Sequence, residues 1–206
     1  MNKSHNPYNI VLLPPDEISQ EAIRLSRLIA NKFSVEFVLD GKTRYPHLTL
    51  YQLEIPEKNL SIVKKRLSNI FKSTISANFA HYFGAPHGFL SWDCLRNKKL
   101  FDLHKDVIKN LNPTRGGVVL PSKKLKYDFL TKQDYLQIEK FGSSGLFDYF
   151  RPHITITRLK HGAFHKRALQ ILPRRKSLIV NFKKAALGRL SIHGTVTEII
   201  EEFNLS

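Results

Sequence analysis

Two segments of one pattern, Pro46-His47-Leu48-Thr49-Leu50 and Pro152-His153-Ile154-Thr155-Ile156, recur in the first and second halves of the chain. An extended strand carries its side chains with a period of two, so each His shares a face with its Thr and the aliphatic residues take the other face. Each copy therefore presents an imidazole and a hydroxyl side by side above an apolar surface. Two such pairs brought together supply what is needed to hold a phosphate and move two protons across it. Histidine fits both proton-transfer roles, because its ordinary pKa of about 6.5 leaves either state accessible near neutrality. In one turnover His47 and His153 must start in opposite states, and the sequence leaves open which is the base.

A lone His-x-Thr carries little weight. With nine His and nine Thr in the chain, about 0.4 such triplets arise by chance. His193-Gly194-Thr195 is a third one, but Gly194 stands where the aliphatic residue belongs, and a turn between two strands is expected there. The full form, Pro-His-aliphatic-Thr-aliphatic, occurs twice.

These side chains need elements to hold them. Residues 9–13 read as a strand ended by Pro14 and Pro15, and Ile18, Ala22, Leu25 and Ile29 mark an amphipathic helix with Asp16 as its N-cap. A short strand is expected at 37–39, then the first motif strand at 47–53. A helix at 57–71 carries Leu60, Val63, Leu67 and Ile70 on one stripe. Strands at 73–83 and 88–95 flank a turn at 84–88, and helical spacing resumes over 97–111. Residues 112–146 are expected to hold an insertion or long loop, with a strand at 118–120 and basic residues Lys123, Lys124 and Lys126. The second motif strand starts at His153, a helix covers 164–172, and strands at 177–182, 186–192 and 196–203 close the chain. Paired strands without helices between them argue against a doubly wound parallel sheet and for an α+β fold with antiparallel or mixed sheets. No Pro/Gly/Ser-rich linker divides the chain, so residues 1–206 are expected to be one bilobal domain.

Strand alternation places Tyr51 and Thr157 on the His-Thr face, where Tyr51 either stacks a base or packs at the sheet's edge. Parity puts Arg158 on the opposite face, able to reach a phosphate only where the strand ends or bulges. Arg151 and Arg44 stand at the motif entrances as phosphate-steering groups or as solvated charges. Phe147, Tyr149 and Phe150 offer either a stacking wall or core, and Trp92 reads as core. His81 and His87 gain no role from their spacing.

Lys and Arg number 33 against 17 Asp and Glu, a formal net charge of +16 with a sequence pI near 10.0. That balance favours a polyanionic partner such as RNA over an anionic membrane surface. Cys94 is the single cysteine, which excludes an intrachain disulfide scaffold. The first apolar run is too short for a signal sequence or membrane span, so a cytoplasmic protein without a membrane span is expected. His161 and His165 lack a nearby carboxylate, and no metal-ligand spacing is found, so neither metal nor cofactor is expected.

The motif pair resembles the signature of the 2H phosphoesterases, a superfamily that includes bacterial enzymes called 2′-5′ RNA ligases, cyclic nucleotide phosphodiesterases and 2′,5′-oligoadenylate phosphodiesterases. The stretch Phe150-Arg151-Pro152-His153-Ile154-Thr155-Ile156-Thr157-Arg158 is the closer match, with an Arg five residues after the His. Gln52 holds that place in the first copy. The resemblance implies a bilobal fold of two antiparallel or mixed sheets with outer helices, its motif strands side by side in a pseudo-twofold central cleft. It also implies a metal-independent phosphodiesterase acting on RNA ends or on 2′,3′-cyclic or 2′-5′-linked nucleotides. In that scheme His47 and His153 are the catalytic acid and base, and Thr49 and Thr155 hold the phosphoryl oxygens. Tyr51, Phe150, Arg151, Thr157 and Arg158 are candidate substrate contacts. The partner would be RNA, an oligonucleotide or a nucleotide, and the protein a monomer. The alternative is an RNA- or nucleotide-binding module that keeps the cleft without turnover.

Overall fold

Pro14 and Pro15 separate the first strand, β1 (His5–Leu13), from the first helix, α1 (Asp16–Ala30). The structure is a computed structural model that describes residues 5–119, 130–174 and 177–206. Ile18, Ala22, Leu25 and Ile29 are buried along one stripe of α1, as their spacing predicts. Pro15, not Asp16, takes the N-cap position; Asp16 and Glu17 lie in the first turn, where their charge favours the helix dipole. The motif strand β2 (Leu48–Pro56) follows, then a 3-10 turn at Glu57–Asn59 and α2 (Leu60–Ile70).

The next hairpin joins β3 (Ile75–Gly84) to β4 (Phe89–Cys94). Helix α3 (Lys98–Leu111) is capped by Asn97, whose side chain accepts from the Leu100 amide at 2.9 Å. Within residues 112–146 lie a 3-10 turn (Asn112–Arg115) and α4 (Lys132–Phe141), which begins with a capping box between Thr131 and Asp134. The Arg115 guanidinium is buried and donates to Lys140 O at 3.0 Å, tying the turn to the end of α4. Of the strand expected at 118–120, residues 118–119 are irregular and Leu120 lies outside the described residues, as do Lys123, Lys124 and Lys126. The second motif strand β5 (His153–Arg158), α5 (His165–Gln170), β6 (Leu178–Phe182), β7 (Lys184–Leu190) and β8 (Val196–Asn204) follow, with 3-10 turns at Phe147–Tyr149 and Gly162–Phe164 on either side of β5. The strand expected at 37–39 is absent; Phe37 and Leu39 are buried in irregular backbone.

All eight strands join one sheet, in the order β6-β3-β4-β5-β2-β1-β7-β8, with antiparallel pairing throughout. The two sheets expected from the sequence meet at β5 and β2, where a single registered pair, Leu48 with Ile154, joins them into one curled sheet. The halves correspond: β1-α1-β2-α2 matches β4-α3-β5-α5, and each motif strand lies innermost. Helix α1 packs on β5 and α3 on β2, so each half's helix crosses beneath the other half's motif strand. The main core lies between helices and sheet and includes Leu48, Leu50, Ile154, Ile156, Trp92 and the α1 stripe. Trp92 is core, as its apolar strand predicts.

Both motif strands bulge at the same place. Val11 pairs with Thr49 and Ile10 with Tyr51, so Leu50 is the extra residue of β2. Ser91 pairs with Thr155 and Leu90 with Thr157, so Ile156 is the extra residue of β5. Each bulge shifts the side-chain alternation by one position.

Candidate functional site

The helices cover the aliphatic face of the motif strands, which leaves the His-Thr face toward the open side of the sheet. Continuing the antiparallel register one residue either way from Leu48–Ile154 puts Thr49 opposite His153 and His47 opposite Thr155. The four side chains thus form a square, with histidines on one diagonal and threonines on the other. His47 is 5 % exposed and His153 is half-buried.

Each ring is fixed in the same way. His47 Nδ1 lies 2.7 Å from Tyr45 O, and His153 Nδ1 lies 2.7 Å from Arg151 O, each the carbonyl two residues back. A carbonyl only accepts, so Nδ1 carries the proton in both rings and Nε2 is left for chemistry. The Pro after each of those residues and the turn into the strand set this local geometry.

The surroundings of the two rings differ. Fully buried Asn9, on β1, donates through Nδ2 to Thr49 Oγ1 at 2.9 Å and lies 3.4 Å from His47 Nε2. An amide N–H facing Nε2 suits neutral His47, and its bond to Oγ1 leaves the threonine's own proton free to be donated. Around His153 the neighbour is a carboxylate. Asp93 is 3 % exposed, pairs with His153 across β4 and β5, accepts from Ser91 Oγ at 2.6 Å, and forms an ion pair with Arg151 Nε at 3.0 Å.

Burial pushes the His47 pKa down to about 4, assisted by the nearby His153 charge. Burial also lowers His153, while Asp93 acts in the opposite direction by favouring the imidazolium. Both rings are thus displaced toward the neutral form, and His153 also has a carboxylate, Asp93, that works toward the charged one.

The bulges correct the parity-based placements. Tyr51 is fully buried on the core side, and its hydroxyl donates to Phe141 O at 2.5 Å. Thr157 is also fully buried and donates to Phe37 O at 2.6 Å. Neither lies on the His-Thr face. The same shift returns Gln52 and Arg158 to that face. Arg158 sits over the Phe89 ring, 4.9 Å from its centroid, with Nε 3.4 Å from His87 O.

Arg151 is engaged by Asp93 and lies 3.8 Å above the Phe83 ring centroid, so it is held as part of the His153 surroundings. Arg44 belongs to a turn held by Asp40, which accepts from the Arg44 amide at 2.9 Å. Phe150 does not form a free stacking wall: its ring stacks on buried His104 at 3.8 Å and packs edge-on against Phe101. Phe147 packs against Phe141, and Tyr149 is exposed. His193-Gly194-Thr195 forms the turn between β7 and β8, as its glycine predicts. Among the described residues, no group of three His, Cys, Asp or Glu side chains gathers as a metal site.

Sequence reasoning passed over Asn9, Asp93 and Ser91. A signal existed for the first two: each is a polar or charged residue inside an apolar strand run, where an unpartnered side chain would be costly.

The fold is shared with proteins of known structure. E. coli LigT complexed with NADP+ superimposes with a TM-score of 0.60 at 13 % identity, covering 98 % of this chain and 99 % of that one. E. coli LigT complexed with 3′-AMP gives 0.56 at 14 % identity, over 98 % and 99 %. A phosphoesterase gives 0.60 at 11 % identity, over 98 % and 99 %. No family model and no curated protein matches the sequence. The chain thus shares its fold with LigT over 98 % of its length.

Proposed function

We propose that this protein is a metal-independent 2H-type phosphodiesterase acting on RNA ends or nucleotides that carry a 2′,3′-cyclic phosphate or a 2′-5′ linkage, with His47 as base and His153 as acid in hydrolysis. The observation that carries this reading is the antiparallel Leu48–Ile154 pair, which sets each histidine opposite the other motif's threonine. A phosphoryl group centred on that square has a ring nitrogen on either side and two hydroxyl donors toward its non-bridging oxygens. LigT structures hold phosphate, ATP and 3′-AMP, which supports a phosphate-bearing nucleotide as the ligand class.

For a cyclic phosphate, neutral His47 Nε2 takes a proton from water as the water oxygen bonds to phosphorus. The bond from phosphorus to one ribose oxygen breaks, and that oxygen takes the proton from His153 Nε2. Thr49 and Thr155 donate to the two oxygens on which negative charge grows. The cycle closes when His47 passes its proton to solvent and His153 regains one. For a 2′-5′ bond, the neighbouring 3′-hydroxyl replaces water as the nucleophile. In the reverse, joining direction the two histidines exchange roles.

Asn9 and Asp93 make the assignment asymmetric. The amide beside His47 supports the neutral ring, and the buried carboxylate beside His153 supports the charged one.

The test is incubation in EDTA with 2′,3′-cyclic mononucleotides, an RNA ending in a 2′,3′-cyclic phosphate, and 2′-5′ oligoadenylate. Conversion of at least one substrate is expected. A protein that binds these RNAs and converts none would be the binding module instead.

A further inference from the structure

We propose that His104 is a positioning residue for the reaction: it sets the gap between the two motif strands and so holds the His-Thr square at its working width. The inference rests on the reading of that square as a phosphodiester site. The strand ladder alone does not fix the gap. Among the described residues, β2 and β5 share the one registered pair Leu48–Ile154, and β2 runs on to Pro56 beyond it. Strands joined at one point can splay, and a displacement of about 1 Å at a reacting centre can cost about 10²-fold in rate. A second attachment is needed, and His104 supplies it.

His104 lies on α3 and is fully buried. Its Nδ1 is 2.7 Å from Leu50 O, so Nδ1 carries the proton and donates to the bulged residue directly after Thr49. Its Nε2 accepts from the Phe147 amide at 2.9 Å, and the Phe150 ring stacks on the imidazole at 3.8 Å with 4° between the planes. Phe150 immediately precedes Arg151, whose carbonyl orients the His153 ring and whose guanidinium pairs with Asp93. One ring therefore grips the first motif strand with one nitrogen, and the approach to the second motif with its other nitrogen and its face. Phe147 has a φ of +57°, a left-handed backbone that a bulky residue keeps only where its surroundings hold it.

The other half makes the same two ties with two residues. Buried Ser26, on α1, accepts from the Leu39 amide at 3.0 Å, and Thr157, directly after bulged Ile156, donates to Phe37 O at 2.6 Å. Each approach segment is thus fastened to its own half's helix and to the opposite motif strand just past the threonine. In the second half His104 makes both fastenings. An aliphatic side chain in its place would fill the core and make neither.

Imidazole titrations of His47 and His153, followed by NMR without substrate, test the assignment together with kcat on a 2′,3′-cyclic mononucleotide. His104→Phe keeps a flat ring and removes both bonds. His104→Asn keeps a donor in the place of Nδ1 and loses the acceptor and the stacking face. In each variant, with folding confirmed by circular dichroism, His47 is expected to titrate about one pH unit above its wild-type value, because a widened cleft lets water reach the ring. The kcat is expected to fall about 10- to 100-fold. Wild-type titrations of both rings in either folded variant overturn the proposal whatever the rate does, because a His104 that only stabilises the core leaves both rings where they are. A wild-type protein that converts no substrate overturns the catalytic reading instead, and the titrations still decide the role of His104.

Discussion

Leu50 and Ile156 hold the same place in the two halves: each is the bulged residue directly after its motif threonine. The paired bulges turn Tyr51 and Thr157 into the core and bring Gln52 and Arg158 back to the cleft face. The histidine-threonine square is symmetric, and the next position on that face is neutral on one side and cationic on the other. Arg158→Gln, which makes the two sides alike, is expected to lower kcat/KM for a cyclic-phosphate RNA by about 10- to 100-fold, the range for loss of a charged hydrogen bond. The thermal midpoint should change little, which circular dichroism melting checks.

The threonines act where charge accumulates. Thr49→Val and Thr155→Val keep the shape and remove the hydroxyl, and each is expected to reduce kcat by about 10²- to 10³-fold with a smaller effect on KM. Steady-state kinetics on one cyclic-phosphate substrate makes the comparison. A change confined to KM would show ground-state binding alone.

The pH profile of kcat/KM should be bell-shaped, because hydrolysis needs neutral His47 and charged His153. His47, with a pKa near 4, loses its base function only as pH falls toward that value, so the acid limb should lie well below 6.5. Asp93 favours charged His153. Asp93→Asn removes that support and leaves Arg151 unpaired, so the alkaline limb should move to lower pH. Movement to higher pH would contradict the assignment of His153 as the acid.

The order and type of most elements were legible from periodicity. The α1 stripe, the Asn97 start of α3, the glycine turns and both motif strands follow from residue types and spacing alone. The bulges were not, because Leu50 and Ile156 are aliphatic residues in aliphatic runs and carry no turn chemistry. One extra residue reverses the face of everything after it, so the parity argument failed for Tyr51, Thr157 and Arg158 together. The joining of two halves into one sheet through Leu48 and Ile154 is a long-range pairing, which local pattern does not encode. Whether Phe150 forms a stacking wall or core stays open in the sequence for a related reason: its stacking partner, His104, is distant in sequence.

His104 makes a stability prediction of its own. Its Nδ1 lies 2.7 Å from Leu50 O, and its Nε2 accepts from the Phe147 amide at 2.9 Å, so the buried ring is held neutral and its pKa is lowered to about 4, chiefly by burial. Between pH 6.5 and 4 the unfolded chain binds protons that folded His104 and His47 do not, so stability should fall as pH is lowered through that window. His104→Gln should be less stable at pH 7 by about 1–3 kcal/mol, through loss of buried hydrogen bonds. It should also take up about one proton fewer on unfolding near pH 5. Urea midpoints measured across this range give both quantities.

The central claim is that His47 and His153 work as one acid–base pair. Its most direct test is single-turnover cleavage of an RNA ending in a 2′,3′-cyclic phosphate, in EDTA, by His47→Ala, His153→Ala and the double variant. Each single variant should lose at least about 10²-fold in rate, and the double variant should lose little more than either, as expected of groups that act as a unit. Rates equal to wild type in both single variants would contradict the account.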